Sequence, residues 1–302
     1  MLKSVAFADL ITFARDSAAC YFDSSGILQQ AANDVARFDH DPVTGERRGL
    51  LIENTGTNSL RNNTMVGAVA GTPGTVPTNW ILLLPSGITS QIVGVSASSG
   101  ISYIEWRWSG TAAANGNILV LYEPSTQVVA AAGQTWTHSV YLRLAAGSLA
   151  GTGTFGSNQI SVDECDASGN FLAGSSAIIA PTGAAIATQR TIHTRTLTNV
   201  ATGRVRCYLN LGVGIGQAID LNLRIGLPQL EQGAHASSPI KTSGTAVTRA
   251  ADLASINTLS PWFNAVEGTI VAAWMDIGTA NSDIVWIPTT RWPSARRPAT
   301  RR

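Results

Sequence analysis

The stretch Arg37-Phe38-Asp39-His40-Asp41-Pro42-Val43-Thr44-Gly45-Glu46-Arg47-Arg48-Gly49 gathers three carboxylates, one histidine and three arginines in a chain that is only 13% charged. A metal site or an acid–base pair needs such a mixture. Strand alternation argues against both: Asp39 and Asp41 share a face that His40 does not. Pro42 fixes φ and stops the strand. Val43-Thr44-Gly45 supplies a turn, and the arginines after it pair with the carboxylates across a hairpin. The stretch reads as a charged hairpin turn and contributes no catalytic or metal-binding residue.

The better candidate for ligand contact is Tyr103-Ile104-Glu105-Trp106-Arg107-Trp108-Ser109-Gly110. Alternation puts Ile104, Trp106 and Trp108 on one face and Tyr103, Glu105 and Arg107 on the other. With the tryptophan face in a core, the opposite face presents an aromatic ring beside a charged pair. That is sugar-site chemistry: a ring for the apolar side of a pyranose and polar forks for its hydroxyls. Trp80, in the loop Pro77-Thr78-Asn79-Trp80, is a possible stacking platform. Tyr122, which ends the apolar run Ile118-Leu119-Val120-Leu121-Tyr122, completes the set. Core tryptophans with a cross-strand ion pair are the competing structural reading.

Other candidates carry less. Gly212-Val213-Gly214-Ile215-Gly216-Gln217 contains spaced glycines, but no helix follows, so it reads as a hairpin or bulge and not as a phosphate loop. No G-x-S-x-G elbow is present, and the four histidines have no accompanying motif. Cys20, Cys165 and Cys207 lack metal-type spacing and read as buried thiols, consistent with folding in a reducing cytoplasm. No cofactor is implied; a structural calcium is the one ion the composition leaves room for.

The elements that must position these residues are strands. The chain has 302 residues, is 44% hydrophobic, and replaces charge with Gly, Ala, Ser and Thr. Eight to ten alternating segments between residues 64 and 235, separated by turns and without helical periods, predict an antiparallel β-sandwich, closed as a jelly roll to limit exposed edges. Among them Gln134–Leu144 alternates strictly apart from a slip near His138. Two hairpins precede the sandwich, Ala19–Gln29 around the turn Asp23–Gly26 and Val35–Glu53 around Asp41–Gly45. The predicted fold class is therefore all-β, with a small N-terminal hairpin segment at 1–63, a jelly roll at 64–235, an extended polar linker at 236–260 and an incomplete segment at 261–302. The net charge of +1 gives no global argument for a nucleic-acid partner. The last twelve residues nevertheless hold five arginines and no acid. No secretory leader is visible, and no apolar run approaches the length of a membrane span.

Three stretches resemble one family. "ITFARDSAACYFDSSGILQQAANDVARFDHDPVTGERRGLLIE" resembles the N-terminal segment of bacteriophage and prophage head-spike, tail-fibre and tail-spike proteins. "LPQLEQGAHASSPIKTSGTAVTRAAD" resembles the join after the carbohydrate-binding-module-like jelly roll of those proteins. "VEGTIVAAWMDI" resembles the first strand of the concanavalin-like (laminin G-like) domain that often comes next. Together they cover about a quarter of the chain. The likeness stops after Asp283-Ile284-Val285-Trp286, and the arginine-rich ending has the look of a truncated or frame-shifted domain.

The resemblance implies a virion protein, made in the bacterial host cytoplasm and displayed on the particle, that binds host cell-surface polysaccharide without cleaving it. It implies a homo-oligomer, trimeric by default and pentameric at a capsid vertex, contacting other virion proteins, with no specific nucleic-acid partner and no membrane insertion. The alternatives are a capsule-degrading depolymerase with its site at an oligomer interface and a connector or decoration protein without a ligand.

Overall fold

In the structure, a computed structural model, residues 7–256 are described. They open with a one-turn helix α1 (Phe7–Leu10) and six short strands: β1 (Ile11–Ala14), β2 (Ala19–Phe22), β3 (Leu28–Ala31), β4 (Phe38–His40), β5 (Arg47–Leu50) and β6 (Gly56–Asn58). The next eleven are longer on average. They are β7 (Ile81–Leu83), β8 (Ile88–Ser98), β9 (Ile101–Thr111), β10 (Gly116–Leu121), β11 (Val128–Val129), β12 (Thr135–Ser148), β13 (Gln159–Cys165), β14 (Phe171–Ile178), β15 (Arg190–Thr196), β16 (Arg204–Val213) and β17 (Ala218–Gln232). The series closes with β18 (Val247–Arg249) and β19 (Leu253–Ile256). The described residues fall into two units, residues 7–12 with 254–256, and residues 13–253. The predicted concanavalin-like segment and the arginine tail lie outside the described residues.

The larger unit is an antiparallel β-sandwich. One sheet runs β15-β12-β17-β9-β8 and the other β14-β13-β16-β10-β7, with β11 paired to β16. Strands β9, β10, β12, β13, β14, β15, β16 and β17 are shared between the sheets in jelly-roll order, so the predicted fold class holds. Two predicted hairpins are also present, β2–β3 with Phe22 opposite Leu28 and β4–β5 with Phe38 opposite Leu50. The β16–β17 connection, which carries the spaced glycines, is not the expected hairpin: β16 and β17 belong to different sheets, and the chain crosses between them through a tight turn in which Gln217 N–H donates to Gly214 O at 3.1 Å. The irregularity predicted near His138 is a bulge between Ser139 and Tyr141.

Alternation decides the core. Ile104, Trp106 and Trp108 are wholly buried between the sheets, and the two indoles stack with centroids 5.5 Å apart. Trp106 Nε1 donates to Ser90 Oγ at 2.6 Å, so its one polar atom is satisfied inside the core. Val140, Ile160, Val205, Leu209 and Leu223 face them from the other strands. Each such side chain contributes about 1.5–3 kcal/mol relative to exposure.

A second, smaller core lies on the outer face of the five-stranded sheet. Cys20, Phe22 and Leu28 of the β2–β3 hairpin pack on Ile101, Tyr103, Tyr141 and Leu227. The N-terminal segment thus covers the middle of that face. Residues 236–253 are packed rather than loosely extended. Ile240, Thr242, Arg249 and Asp252 are buried, β18 pairs with β6, and the Asn58 and Asn63 amides donate to Ile240 O at 3.1 and 2.9 Å.

Candidate functional site

The charged stretch at 37–49 is a turn. Asp41 Oδ1 accepts from Val43 N–H at 2.7 Å and Thr44 N–H at 3.0 Å, and these bonds hold its carboxyl below the usual range. Gly45 takes φ +72° to close the turn. Arg48 bridges Asp41 at 2.7 Å and Asp39 at 3.6 Å. Burial pushes Asp39 up, although it accepts from Phe22 N–H at 2.8 Å, which ties the second hairpin to the first. Among the described residues no group of three or more His, Cys, Asp or Glu side chains is arranged to hold a metal ion.

The five sugar-contact residues expected from the sequence are divided by the structure. Trp80 and Tyr122 come together, but inside the sandwich. Trp80 is 4% exposed, Tyr122 is wholly buried, and their rings meet edge-on at 4.9 Å. Trp80 Nε1 donates to Asn62 O at 2.7 Å, which fixes the indole inward. Neither ring has a free face, so the expected stacking roles of Trp80 and Tyr122 are corrected to core packing. Tyr103 does lie opposite Trp106 and Trp108 in the alternation, yet it is buried beneath the N-terminal segment, with the Arg224 guanidinium 4.6 Å from its ring centre. Its expected stacking role is corrected too.

Glu105 and Arg107 are on the outer sheet face as alternation requires, and both pair with β17. Arg107 grips Asp220 with two bonds of 2.8 and 2.9 Å. Glu105 accepts from Arg224 Nε at 2.7 Å and Asn222 Nδ2 at 3.1 Å. Partial burial pushes Glu105 up, but the Arg224 and Asn222 bonds and the field of Arg224 and Arg143 outweigh it and hold the carboxyl low.

Where β12 begins and β17 finishes lies a cleft of about 710 Å³ lined by Thr55, Gly56, Thr57, Ser59, Gly133, Gln134, Thr135, Trp136, Gln232 and Gly233. Three chain segments build it. Trp136 of β12 is in register with Gln232 of β17, and Ser59 N–H, just past β6, donates to Leu230 O at 2.9 Å. Gly133 and Gly233 adopt φ +87° and +145°, and a Cβ on either would meet nothing within 4 Å, so the walls open there. Trp136 packs into the core and donates through Nε1 to Gln134 Oε1 at 3.2 Å, which orients the Gln134 amide. Thr135 and Thr196 share a hydroxyl bond of 2.8 Å across β12 and β15. The lining offers hydroxyls, amides, backbone groups and the edge of one indole, with no titratable side chain. It can exchange neutral hydrogen bonds with a polyhydroxylated ligand. It has no general base, no nucleophile activated by one, and no cation for a phosphate.

No protein-family model and no curated protein matches the chain. Among solved structures it is similar to an arabinose-bound α-L-arabinofuranosidase, MgGH51, at 13% identity and TM-score 0.36, covering 74% of this chain and 32% of that one. It is similar to the CBM22-1 xylan-binding domain of Paenibacillus barcinonensis Xyn10C at 12% identity and TM-score 0.31, covering 57% of this chain and 100% of that one. A third is the enzymatically active domain of bacteriophage CBA120 tailspike protein 4, at 12% identity and TM-score 0.30, covering 52% of this chain and 20% of that one. The chain thus spans about a third of the arabinofuranosidase and a fifth of the tailspike domain.

The cleft was not visible in the sequence. Gln134 and Gln232 stand 98 positions apart, at opposite ends of two strands that only the jelly roll makes neighbours. The one available signal was local: amide and hydroxyl residues beside glycine at strand ends, in Gly133-Gln134-Thr135 and Gln232-Gly233.

Proposed function

We propose that this protein is a non-catalytic glycan-binding component of a tailed phage or phage-like particle, a head spike or fibre element that attaches to host surface polysaccharide. The observation that carries the binding part is the cleft between β6, β12 and β17. It is large enough for one or two sugar units, rich in neutral donors and acceptors, and without a titratable group. The virion part is supported by the three stretches that resemble phage spike and fibre proteins. Single sugar contacts are weak, so attachment works through several copies on one particle, with a trimer as the natural arrangement.

A glycan array probed with the purified chain, with product analysis on the same sugars, tests the reading. Binding without cleavage, weakened about tenfold or more by Gln232→Ala, is the expected result; a shift of tenfold corresponds to about 1.4 kcal/mol. Cleavage of any bound glycan overturns the non-catalytic assignment in favour of a depolymerase. Binding that Gln232→Ala and Gln134→Ala leave intact moves the site away from the cleft. No binding at all leaves a connector.

A further inference from the structure

Arg143 of β12 and Arg224 of β17 are register partners on the outer face of the five-stranded sheet. Leu142 and Leu223, their neighbours in sequence, point into the core, so both arginines point outward. Side chains directly opposite each other on one face have Cβ atoms about 4.5–5.5 Å apart, and like charges in that position destabilise a sheet. A sheet that keeps such a pair needs compensation.

Arg224 has part of it. Its Nε bonds Glu105 at 2.7 Å and its guanidinium lies over Tyr103. Arg143 has none from a carboxylate: its Nε donates to Gly183 O at 3.1 Å, and among the described residues it makes no ion pair. The nearby acids are already engaged. Glu105 has one oxygen on Arg224 and the other on Asn222, and Asp220 has both on Arg107. Among the described residues three arginines therefore face two carboxylates, and the terminal nitrogens of Arg143 and Arg224 have no protein acceptor.

We infer that Arg143 and Arg224 form a binding site for an oxyanion, a carboxylate, sulfate or phosphate group. Register sets the two arginines on neighbouring strands of one face, and each planar guanidinium offers paired N–H donors of the kind that carboxylates and tetrahedral oxyanions accept in bidentate fashion. Tyr103 beneath Arg224 and the Gly183 carbonyl beside Arg143 hold the two forks in place. On the glycan reading the group is a substituent of the same polymer, a uronic acid or a sulfate or phosphate ester. The inference rests on that reading only for what carries the anion. It adds selection for acidic polysaccharides to a cleft that is itself uncharged.

The test titrates the full chain with sodium glucuronate, sodium sulfate and sodium phosphate at constant ionic strength, with glucose and sodium chloride as controls. The readouts are the ¹⁵Nε resonances of the arginines and the thermal midpoint. At least one oxyanion is expected to move the arginine resonances saturably and raise the midpoint, where chloride and glucose do not. Arg143→Gln is expected to weaken that binding about tenfold or more, a step that corresponds to about 1.4 kcal/mol. Arg143→Lys is expected to recover only part, because a point charge replaces the fork. A response to glucuronate alone assigns a uronic acid, and a response to sulfate or phosphate assigns an ester. Equal responses of the wild type and Arg143→Gln, or no response beyond chloride, overturn the inference. Gln232→Ala should leave oxyanion binding unchanged, so a failure of the cleft and a failure of this site give different results.

Discussion

Arg37 Nη1 stands 2.7 Å from Glu53 Oε2, with the arginine wholly buried and the carboxylate nearly so. The pair is the centre of a buried network. Arg37 also bonds Asp252 and donates to Cys20 O at 2.8 Å; Arg15 reaches Asp252 at 3.0 Å; Arg249 lies 3.6 Å from Glu53; and Ser238 N–H donates to Glu53 at 2.7 Å. Residues near 15, 37, 53, 238 and 252 are thereby joined beside the small outer core. Burial pushes Glu53 up, but Arg249, Arg37 and Ser238 outweigh it and keep the carboxyl below its usual range.

Removing one partner leaves a buried charge without compensation. Arg37→Met and Glu53→Gln should each cost about 3–5 kcal/mol in chemical denaturation. The double replacement Arg37→Met/Glu53→Leu should cost less than the two single effects added, because the stranded charge is then gone from both sides. Additive losses would mean the two side chains act independently.

His138 makes stability depend on pH near neutrality. Its ring is fully buried between the sheets, 5.4 Å from the Tyr122 ring, and the Ser161 backbone beside it compensates only a small part of the burial. Burial lowers its pKa from 6.5 to about 3. The unfolded chain therefore takes up a proton that the folded chain refuses. This contribution is fully present above pH ~6.5 and is lost as pH falls towards 3, with a slope of at most about 1.4 kcal/mol per pH unit. Urea unfolding at pH 7.0, 6.0 and 5.0 should show that slope in the wild type and a flatter profile in His138→Leu. Identical profiles would show that the ring can be protonated in place.

Glu164 sets a lower window. Burial pushes the carboxyl up, but it accepts from Asn199 N–H at 2.8 Å, Thr202 Oγ1 at 2.7 Å, Arg195 and Thr198 N–H at 3.0 Å. The balance lowers its pKa from 4.5 to about 2. A depressed carboxylate stabilises above its unfolded pKa, so this contribution is complete above pH ~4.5 and disappears as pH falls to 2. Glu164→Gln should be less stable than wild type at pH 7 and should lose less between pH 4.5 and 2. The thermal midpoint across that range measures it; a variant that loses as much as wild type over that interval would place the acid sensitivity elsewhere.

How much of this was legible in the sequence depended on the range of the interaction. The inward face Ile104-Trp106-Trp108 follows from alternation within one strand, and the turn at 41–45 follows from Pro42 and Gly45. Those local signals were enough for the jelly roll and for reading the charged stretch as a hairpin. Tyr103 was misplaced because what covers it, Phe22 and Leu28, comes from some eighty residues earlier. Arg37 was counted with the charged stretch, yet its partner Asp252 lies 215 positions away. Strand β14 is not legible in the sequence because its Gly, Ala and Ser residues carry no apolar alternation; it is an edge strand with much of its side-chain surface exposed. Trp80 looked like a loop platform because a Pro-Thr-Asn approach gives no hint that the indole turns inward.

The contact between Gly100 and Leu28 joins the N-terminal segment to the sandwich, and it yields the last prediction. Ser99 and Gly100 form the two-residue turn between β8 and β9, with φ +49° and +74°, the twist that a tight hairpin requires. Leu28 N–H donates to Ser99 O at 2.9 Å. A Cβ on Gly100 would sit 2.1 Å from Leu28 O, a backbone atom that cannot turn aside. Gly100→Ala therefore carries two penalties, a strained left-handed residue and a steric clash with β3. It should cost about 1–3 kcal/mol from the strain alone, and it should lift the β2–β3 hairpin from Tyr103 and Tyr141. Limited proteolysis should then cut within residues 13–63 faster than in the wild type. Ser99→Gly removes the one non-glycine left-handed residue of the turn and keeps the contact, so it should be neutral or slightly stabilising. If Gly100→Ala and Ser99→Gly behave alike, the turn is not what docks the N-terminal hairpin.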